Sequence, residues 1–88
     1  MLSVDLTPQF RRQFKKLPRE LQYEAFEKIE LFKNPTNHQT LHVHKLKGKL
    51  AGFWSFSVNY RYRIVFGWLK KDKKSAALLA VGDHEVYR

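Results

Sequence analysis

Three side chains in this sequence have the chemistry needed to act on a phosphodiester. Arg63 stands among large apolar residues, and its guanidinium is a planar fork of donors that suits two phosphoryl oxygens. His84 follows the last apolar stretch, and an imidazole readily exchanges protons near neutral pH. Tyr87 could stack on a nucleobase. The competing interpretations are a structural ion pair for Arg63 and a simple pair with Asp83 for His84.

Two further histidines, His42 and His44, would lie on one side of the chain if their segment is extended. This spacing occurs in metal sites, but such a site needs a third ligand, and no acid lies nearby in the sequence. We therefore expect no metal and no other cofactor. Exposed loop histidines are the competing interpretation, especially for His42.

Lysines occupy alternate positions just after these histidines, at Lys45, Lys47 and Lys49. In an extended segment they would share a face and could follow a phosphate backbone. A soluble sheet edge protected by lysines would produce the same pattern. The nearby glycines lack the spacing of a phosphate-binding P-loop.

The net charge favours a polyanionic partner. Seventeen Lys and Arg against eight Asp and Glu give +9 at pH 7. Four of the acids are glutamates between residues 20 and 30, whereas residues 34–71 contain no acid. A solvated surface explains most charge runs, but the simplest physical use of so long an acid-free stretch is to neutralise phosphates.

Length and composition indicate one small domain, residues 1–88. The absence of cysteine excludes disulfides, thiolate zinc sites and cysteine nucleophiles. No apolar run approaches the roughly 20 residues of a membrane span, and the N-terminus does not have the pattern of a signal peptide. We expect a cytoplasmic protein.

Hydrophobic periodicity predicts the elements that position these side chains. Thr7 and Pro8 are typical of a helix start, and Pro18 begins a second helix. The nearly continuous apolar run at 75–81 predicts a central strand covered on both faces. The predicted elements are a strand at 2–6, helices at 7–17 and 18–34, a loop at 34–49, and strands at 54–58, 61–66 and 75–81.

The order strand, helix, helix and three strands predicts an α+β fold. A mostly antiparallel sheet would carry the two helices on one face and leave the other face open. If Ile64 and Phe66 point toward the helices, Arg61 and Arg63 point to the open face. A basic, uncovered sheet face suits a nucleic acid strand.

Four segments, in their order and spacing, resemble the RelE/ParE toxin superfamily, and the resemblance covers essentially the whole chain. The segments are Leu-Lys-Gly at 46–48, Gly-Phe-Trp-Ser at 52–55, Tyr-Arg-Ile-Val-Phe at 62–66 and Val-Gly-Asp-His-Glu-Val-Tyr at 81–87. The resemblance implies the toxin of a type II toxin–antitoxin pair. RelE-like members cleave messenger RNA in the ribosomal A site, whereas ParE-like members poison DNA gyrase and lack the nuclease residues.

The resemblance also implies roles for individual residues. Arg63 stands where RelE-like nucleases place an arginine that contacts the scissile phosphate. His44 is similar to the loop histidine of the YafQ branch, and His84 to the C-terminal histidine of the YafQ and YoeB branches. Tyr87 is similar to the late tyrosine of RelE. Where the YafQ branch has a second histidine and an aspartate, this sequence has Ser57 and Arg61.

The reaction implied is attack by a ribose 2′-OH on the adjacent 3′ phosphate. It needs a proton acceptor, a proton donor and a fixed cation, but no cofactor. His44 and His84 would carry protons, Arg63 would be the cation, and Tyr87 would hold a base. Flanking phosphates would be bound by Lys45, Lys47, Lys49 and Arg61.

An acidic antitoxin that covers the basic face is the expected protein partner, and messenger RNA on the ribosome the expected nucleic acid partner. Two alternatives remain at this point. One is a ParE-like protein that poisons gyrase, which would not need the trio His44, Arg63 and His84. The other is a plain RNA-binding inhibitor of translation.

Overall fold

The computed structural model of the protein describes residues 1–83, which form an open five-stranded sheet with two helices on one face. The helices are α1 (Pro8–Lys15) and α2 (Arg19–Phe32). The strands are β1 (Ser3–Leu6), β2 (His44–Lys45), β3 (Trp54–Ser57), β4 (Arg63–Trp68) and β5 (Ser75–Gly82). Two 3-10 turns lie at Pro35–Asn37 and Gly48–Leu50. No helix in residues 1–83 has the length and apolarity to cross a membrane.

The strand order is β1-β5-β4-β3-β2, with β1 parallel to β5 and the other pairs antiparallel. The predicted α+β fold, a mostly antiparallel sheet with two helices on one face, is therefore confirmed. The strand β2 lies inside the predicted loop at 34–49 and was not predicted. Since β2 has only two residues, it is too short to show a period of two.

Side-chain hydrogen bonds fix the start of α1 and its junction with α2. The Thr7 hydroxyl accepts a hydrogen bond from the Phe10 backbone N–H at 3.2 Å and donates to the Leu78 carbonyl at 2.8 Å. The Gln22 side-chain amide donates to carbonyls at and just after the end of α1, those of Phe14, Lys15 and Leu17. These hydrogen bonds thus connect α2 to the end of α1, and the start of α1 to β5.

A stack of aromatic rings joins the helices to the sheet. Phe32, at the end of α2, is fully buried, and its ring lies parallel to that of Phe56 at 4.4 Å between centroids. The Phe66 ring meets it edge-on at 4.8 Å, and His38 stacks on it at 4.9 Å. This packing sets which face of β3 and β4 points to the helices.

The strand β5 lies in the middle of the sheet, as predicted, but its two faces differ in burial. Ala76 and Leu78 are fully buried beneath the helices, whereas Ala77 and Leu79 are half-buried. The prediction of cover on both faces is therefore wrong at Ala77 and Leu79, whereas Ala80, which also lies on the Arg63 side of the sheet, is buried. The register between β4 and β5 shifts by one residue at Leu79, because Val65 pairs with Ala80 whereas the next residue, Phe66, pairs with Leu78.

Candidate functional site

Arg63 begins β4 rather than standing in its middle, and its side chain lies on the open face of the sheet. Arg63 is paired with Ser57 of the neighbouring strand β3, and its Nη1 donates a hydrogen bond to the Ser57 Oγ at 3.1 Å. The next residue, Ile64, points to the opposite side and is fully buried. In residues 1–83, no carboxylate forms an ion pair with Arg63. A structural ion pair therefore does not explain this arginine within the described residues.

His42 extends this arrangement on the other side of Ser57. Its Nδ1 lies 3.5 Å from the Ser57 Oγ, and its backbone adopts a left-handed conformation with φ of 57°. The Ser57 N–H donates to the Leu41 carbonyl at 2.8 Å, which holds the His42 segment against the end of β3. We call these three residues the His42–Ser57–Arg63 cluster.

The cluster lines an open cavity of about 570 Å³ at the end of the β3–β4 hairpin. The acid facing this cavity is Glu24 of α2, whose Oε1 accepts a hydrogen bond from the Asn59 amide at 2.8 Å. The Asn59 Oδ1 in turn accepts from the backbone N–H groups of Arg61 and Tyr62. Glu24 therefore supports the turn between β3 and β4 through Asn59.

His44 lies on the same open face, in the neighbouring strand β2. It pairs with Ser55, and standard strand spacings place its Cα about 12 Å from that of Arg63. The His44 Nδ1 lies 2.7 Å from the His42 carbonyl oxygen. Because a carbonyl only accepts, Nδ1 must carry the proton, and in the neutral ring Nε2 has the free lone pair. His44 can therefore accept a proton at Nε2.

The spacing of His42 and His44 does not produce a metal site in the part of the chain described. No group of three His, Asp or Glu side chains in residues 1–83 is arranged to hold a metal ion. One ring nitrogen of each histidine is already directed at a protein oxygen.

The three alternating lysines do not share a face, because the segment is not extended throughout. Lys45 is in β2, but the chain turns at Gly48, with φ of 71°, into the 3-10 turn that contains Lys49. Lys45 pairs with Trp54 on the helix side of the sheet, opposite to Arg63. The predicted geometry was wrong here, and the RNA-binding role of Lys45, Lys47 and Lys49 stays a prediction.

Arg61 lies in the turn before β4 and makes contacts of its own. Its Nη2 lies 3.7 Å from the Asp83 Oδ2, and its guanidinium lies 5.6 Å from the centre of the Tyr62 ring. Its position therefore differs from that of Arg63, which has no such acid within residues 1–83. The other predicted site residues, His84 and Tyr87, lie outside the described residues.

Sequence reasoning missed two members of the cluster as functional candidates. The sequence identifies Ser57 only as a replacement for a histidine, and the structure confirms the competing interpretation of His42 as an exposed loop residue while also bringing it beside Ser57. The alternation of β3 already placed Ser57 on the open face with Arg63, so the hairpin register could have revealed it. His42 gave no such signal, because its position depends on a loop conformation.

The comparisons with known proteins agree with this fold. A family model described as the RelE-like toxin of the type II toxin–antitoxin system HigB matches residues 9–80. No curated protein matches the sequence significantly.

Several solved structures have the same fold, of which three are given. A conserved hypothetical protein from Helicobacter pylori is 23% identical, with TM-score 0.71 and coverage of 97% of each chain. The toxin–antitoxin complex RelBE2 from Mycobacterium tuberculosis contains a chain that is 21% identical, with TM-score 0.69 and coverage of 94% of this chain and 98% of that one. YafQ from Escherichia coli is 11% identical, with TM-score 0.69 and coverage of 98% and 97%.

Proposed function

Because the chain belongs to the HigB-like family of RelE-like toxins of type II toxin–antitoxin systems, we propose that it is a ribosome-dependent endoribonuclease that cleaves messenger RNA. The observation that carries this proposal is the guanidinium of Arg63. It is held on the open sheet face by Ser57 and has no carboxylate partner within residues 1–83. A positive charge in this setting suits a phosphate on which negative charge increases during the reaction.

In the proposed reaction, the ribose 2′-OH attacks the adjacent 3′ phosphate, and the bond to the 5′ oxygen of the next nucleotide breaks. His44 takes the proton from the 2′-OH at Nε2, the nitrogen left free by the hydrogen bond at Nδ1. Arg63 stabilises the pentavalent phosphorane. His84 supplies the proton that the leaving oxygen needs, and Tyr87 stacks on a base. The products are a 2′,3′-cyclic phosphate and a 5′-OH end.

Arg61 and the lysines at 45, 47 and 49 would bind phosphates on either side of the cut. Since Lys45 lies on the helix side of the sheet, we assign it to RNA that passes the edge strand β2 rather than to the open face. The Arg61 guanidinium is directed at Asp83. An RNA phosphate would therefore compete with the Asp83 carboxylate for binding to Arg61.

The test is primer extension on a messenger translated by purified ribosomes. New 5′ ends should appear when the toxin and ribosomes are both present, and the upstream fragments should end in a 2′,3′-cyclic phosphate. If translation stops without new 5′ ends, the protein is a binding inhibitor and the proposal fails. If gyrase is inhibited instead, the protein acts like ParE.

Ser57→Ala should lower the cleavage rate constant about tenfold, since the hydroxyl that orients Arg63 is lost. Ser57 is a positioning residue here, so KM should change little, and Ser57→Thr should restore most of the rate because it keeps the hydroxyl. The measurement is cleavage under saturating and subsaturating messenger. A Ser57→Ala chain with the wild-type rate would show that Ser57 does not orient Arg63.

An acidic antitoxin is the proposed protein partner, as the Mycobacterium tuberculosis relative was solved in a toxin–antitoxin complex. The described residues offer an apolar groove of about 340 Å³ between β1 and the helices. Phe26 and Leu6 line it and are 58% and 37% exposed, and Arg11 and Lys15 flank it. An apolar antitoxin segment would bury the Phe26 and Leu6 side chains. Acidic residues beside that segment would form ion pairs with Arg11 and Lys15.

Phe26→Asp should therefore weaken the antitoxin complex by roughly tenfold to a hundredfold, because a carboxylate would replace a ring that becomes buried when the antitoxin binds. The measurement is co-purification and titration with the protein encoded beside the toxin. Tyr23→Asp is the control, since Tyr23 is exposed on the same helix but does not line the groove. Equal losses in the two variants would exclude the groove as the antitoxin site.

A further inference from the structure

A second basic site lies on the helix side of the sheet, away from Arg63. It is an open cavity of about 470 Å³, with Trp54 and Trp68 as its apolar walls. Its other lining residues come from β2 and from the loop between β4 and β5, and they are Lys45, Leu69, Lys70, Lys71 and Lys73. We call it the tryptophan–lysine cavity.

Two ammonium groups in this cavity lie over the same Trp54 ring, without carboxylate partners in residues 1–83. The Lys73 Nζ lies 4.8 Å and the Lys45 Nζ 5.7 Å from the centre of the Trp54 ring. The negative face of an indole attracts both groups, but they repel each other. In residues 1–83 none of the four cavity lysines forms an ion pair. The cavity therefore concentrates positive charge that a bound anion would offset.

The loop between β4 and β5 holds a lysine in a backbone conformation that costs free energy. Lys73 adopts φ of 57°, a left-handed conformation that glycine and asparagine tolerate better than lysine. Its N–H donates to the Lys70 carbonyl at 3.1 Å, and the Asp72 carboxylate accepts from the Lys74 N–H at 3.0 Å. The one acid in this loop thus caps the turn, and the strained residue directs its ammonium group over Trp54.

We infer that the tryptophan–lysine cavity binds the phosphate backbone of RNA at a place other than the cleaved bond. This inference rests on the proposed function, which supplies RNA as the polyanion. Lysines contact phosphates as point charges, so recognition here would not depend on base sequence. Because the cavity and Arg63 lie on opposite faces of the sheet, one toxin would hold RNA at two separate points.

The test is fluorescence anisotropy of a fluorescein-labelled uridine oligonucleotide with the full-length chain carrying Arg63→Ala, so that cleavage plays no part. Adding Lys71→Asn and Lys73→Asn should weaken binding about tenfold near 0.15 M salt. The slope of log K against log salt should fall by about 1.4, which corresponds to two single-strand phosphate contacts. Asparagine tolerates the backbone of residue 73, so thermal unfolding should show no loss of stability.

The matched control is the pair Lys16→Asn and Lys74→Asn, which removes the same charge from exposed lysines outside the cavity. Equal weakening by both pairs would mean that the RNA responds only to net charge, and the inference would fail. It would also fail if the cavity pair lost binding to poly-L-glutamate and kept RNA, since the occupant would then be an acidic protein. Loss of RNA binding by the cavity pair alone supports it, even if the wild-type chain proves unable to cleave messenger RNA.

Discussion

Arg63→Ala should lower the rate of messenger cleavage by roughly 10²–10³-fold, which is the usual effect of removing one preorganised transition-state donor. The guanidinium is the positive group that the cluster holds on the open face, and alanine removes the charge that is assigned to stabilising the phosphorane. The variant should still fold, because the side chain is only half-buried and its removal opens no cavity in the helix-facing core. The measurements are primer extension and thermal unfolding.

Arg63→Lys separates charge from geometry in the same assay. A lysine keeps the positive charge but loses the planar fork, so it should restore only a small part of the rate. Full activity in a folded Arg63→Ala chain would remove Arg63 from the mechanism. Full activity in Arg63→Lys alone would mean that charge suffices and that the hydrogen bond to Ser57 is not required.

Phe32→Ala should reduce the free energy of unfolding by about 3–5 kcal/mol, a large part of the stability of a domain this small. The Phe32 ring is fully buried and contacts rings from both β3 and β4, so no neighbour can fill the space that it leaves. Chemical denaturation followed by tryptophan fluorescence would measure the change, since Trp68 stacks on the same ring at 6.0 Å.

The control for this prediction is Tyr23→Ala on the same helix. Tyr23 is 67% exposed, so its removal should change the free energy of unfolding by only about 0.5 kcal/mol. If the two variants were equally stable, the aromatic stack would not be the principal link between α2 and the sheet.

The sequence by itself determined the elements that have a clear period. The spacing of apolar residues predicted both helices, and alternation predicted β3, β4 and the side of the sheet that Arg63 faces. These patterns are local, because a helix or strand that buries one face has apolar residues that recur every two to four positions. The acid-free stretch at 34–71 also needed no structure to be recognised.

Only the tertiary structure decided which polar residues meet. His42 reaches Ser57 because the Ser57 N–H binds the Leu41 carbonyl, a contact between residues 16 positions apart that no local pattern contains. Lys45 points away from the open face because β2 pairs with β3 in a particular register, and a shift of one residue would reverse it. Pairing between distant segments thus brings Lys45 into the tryptophan–lysine cavity, on the face opposite to the one that alternation predicts for Arg63.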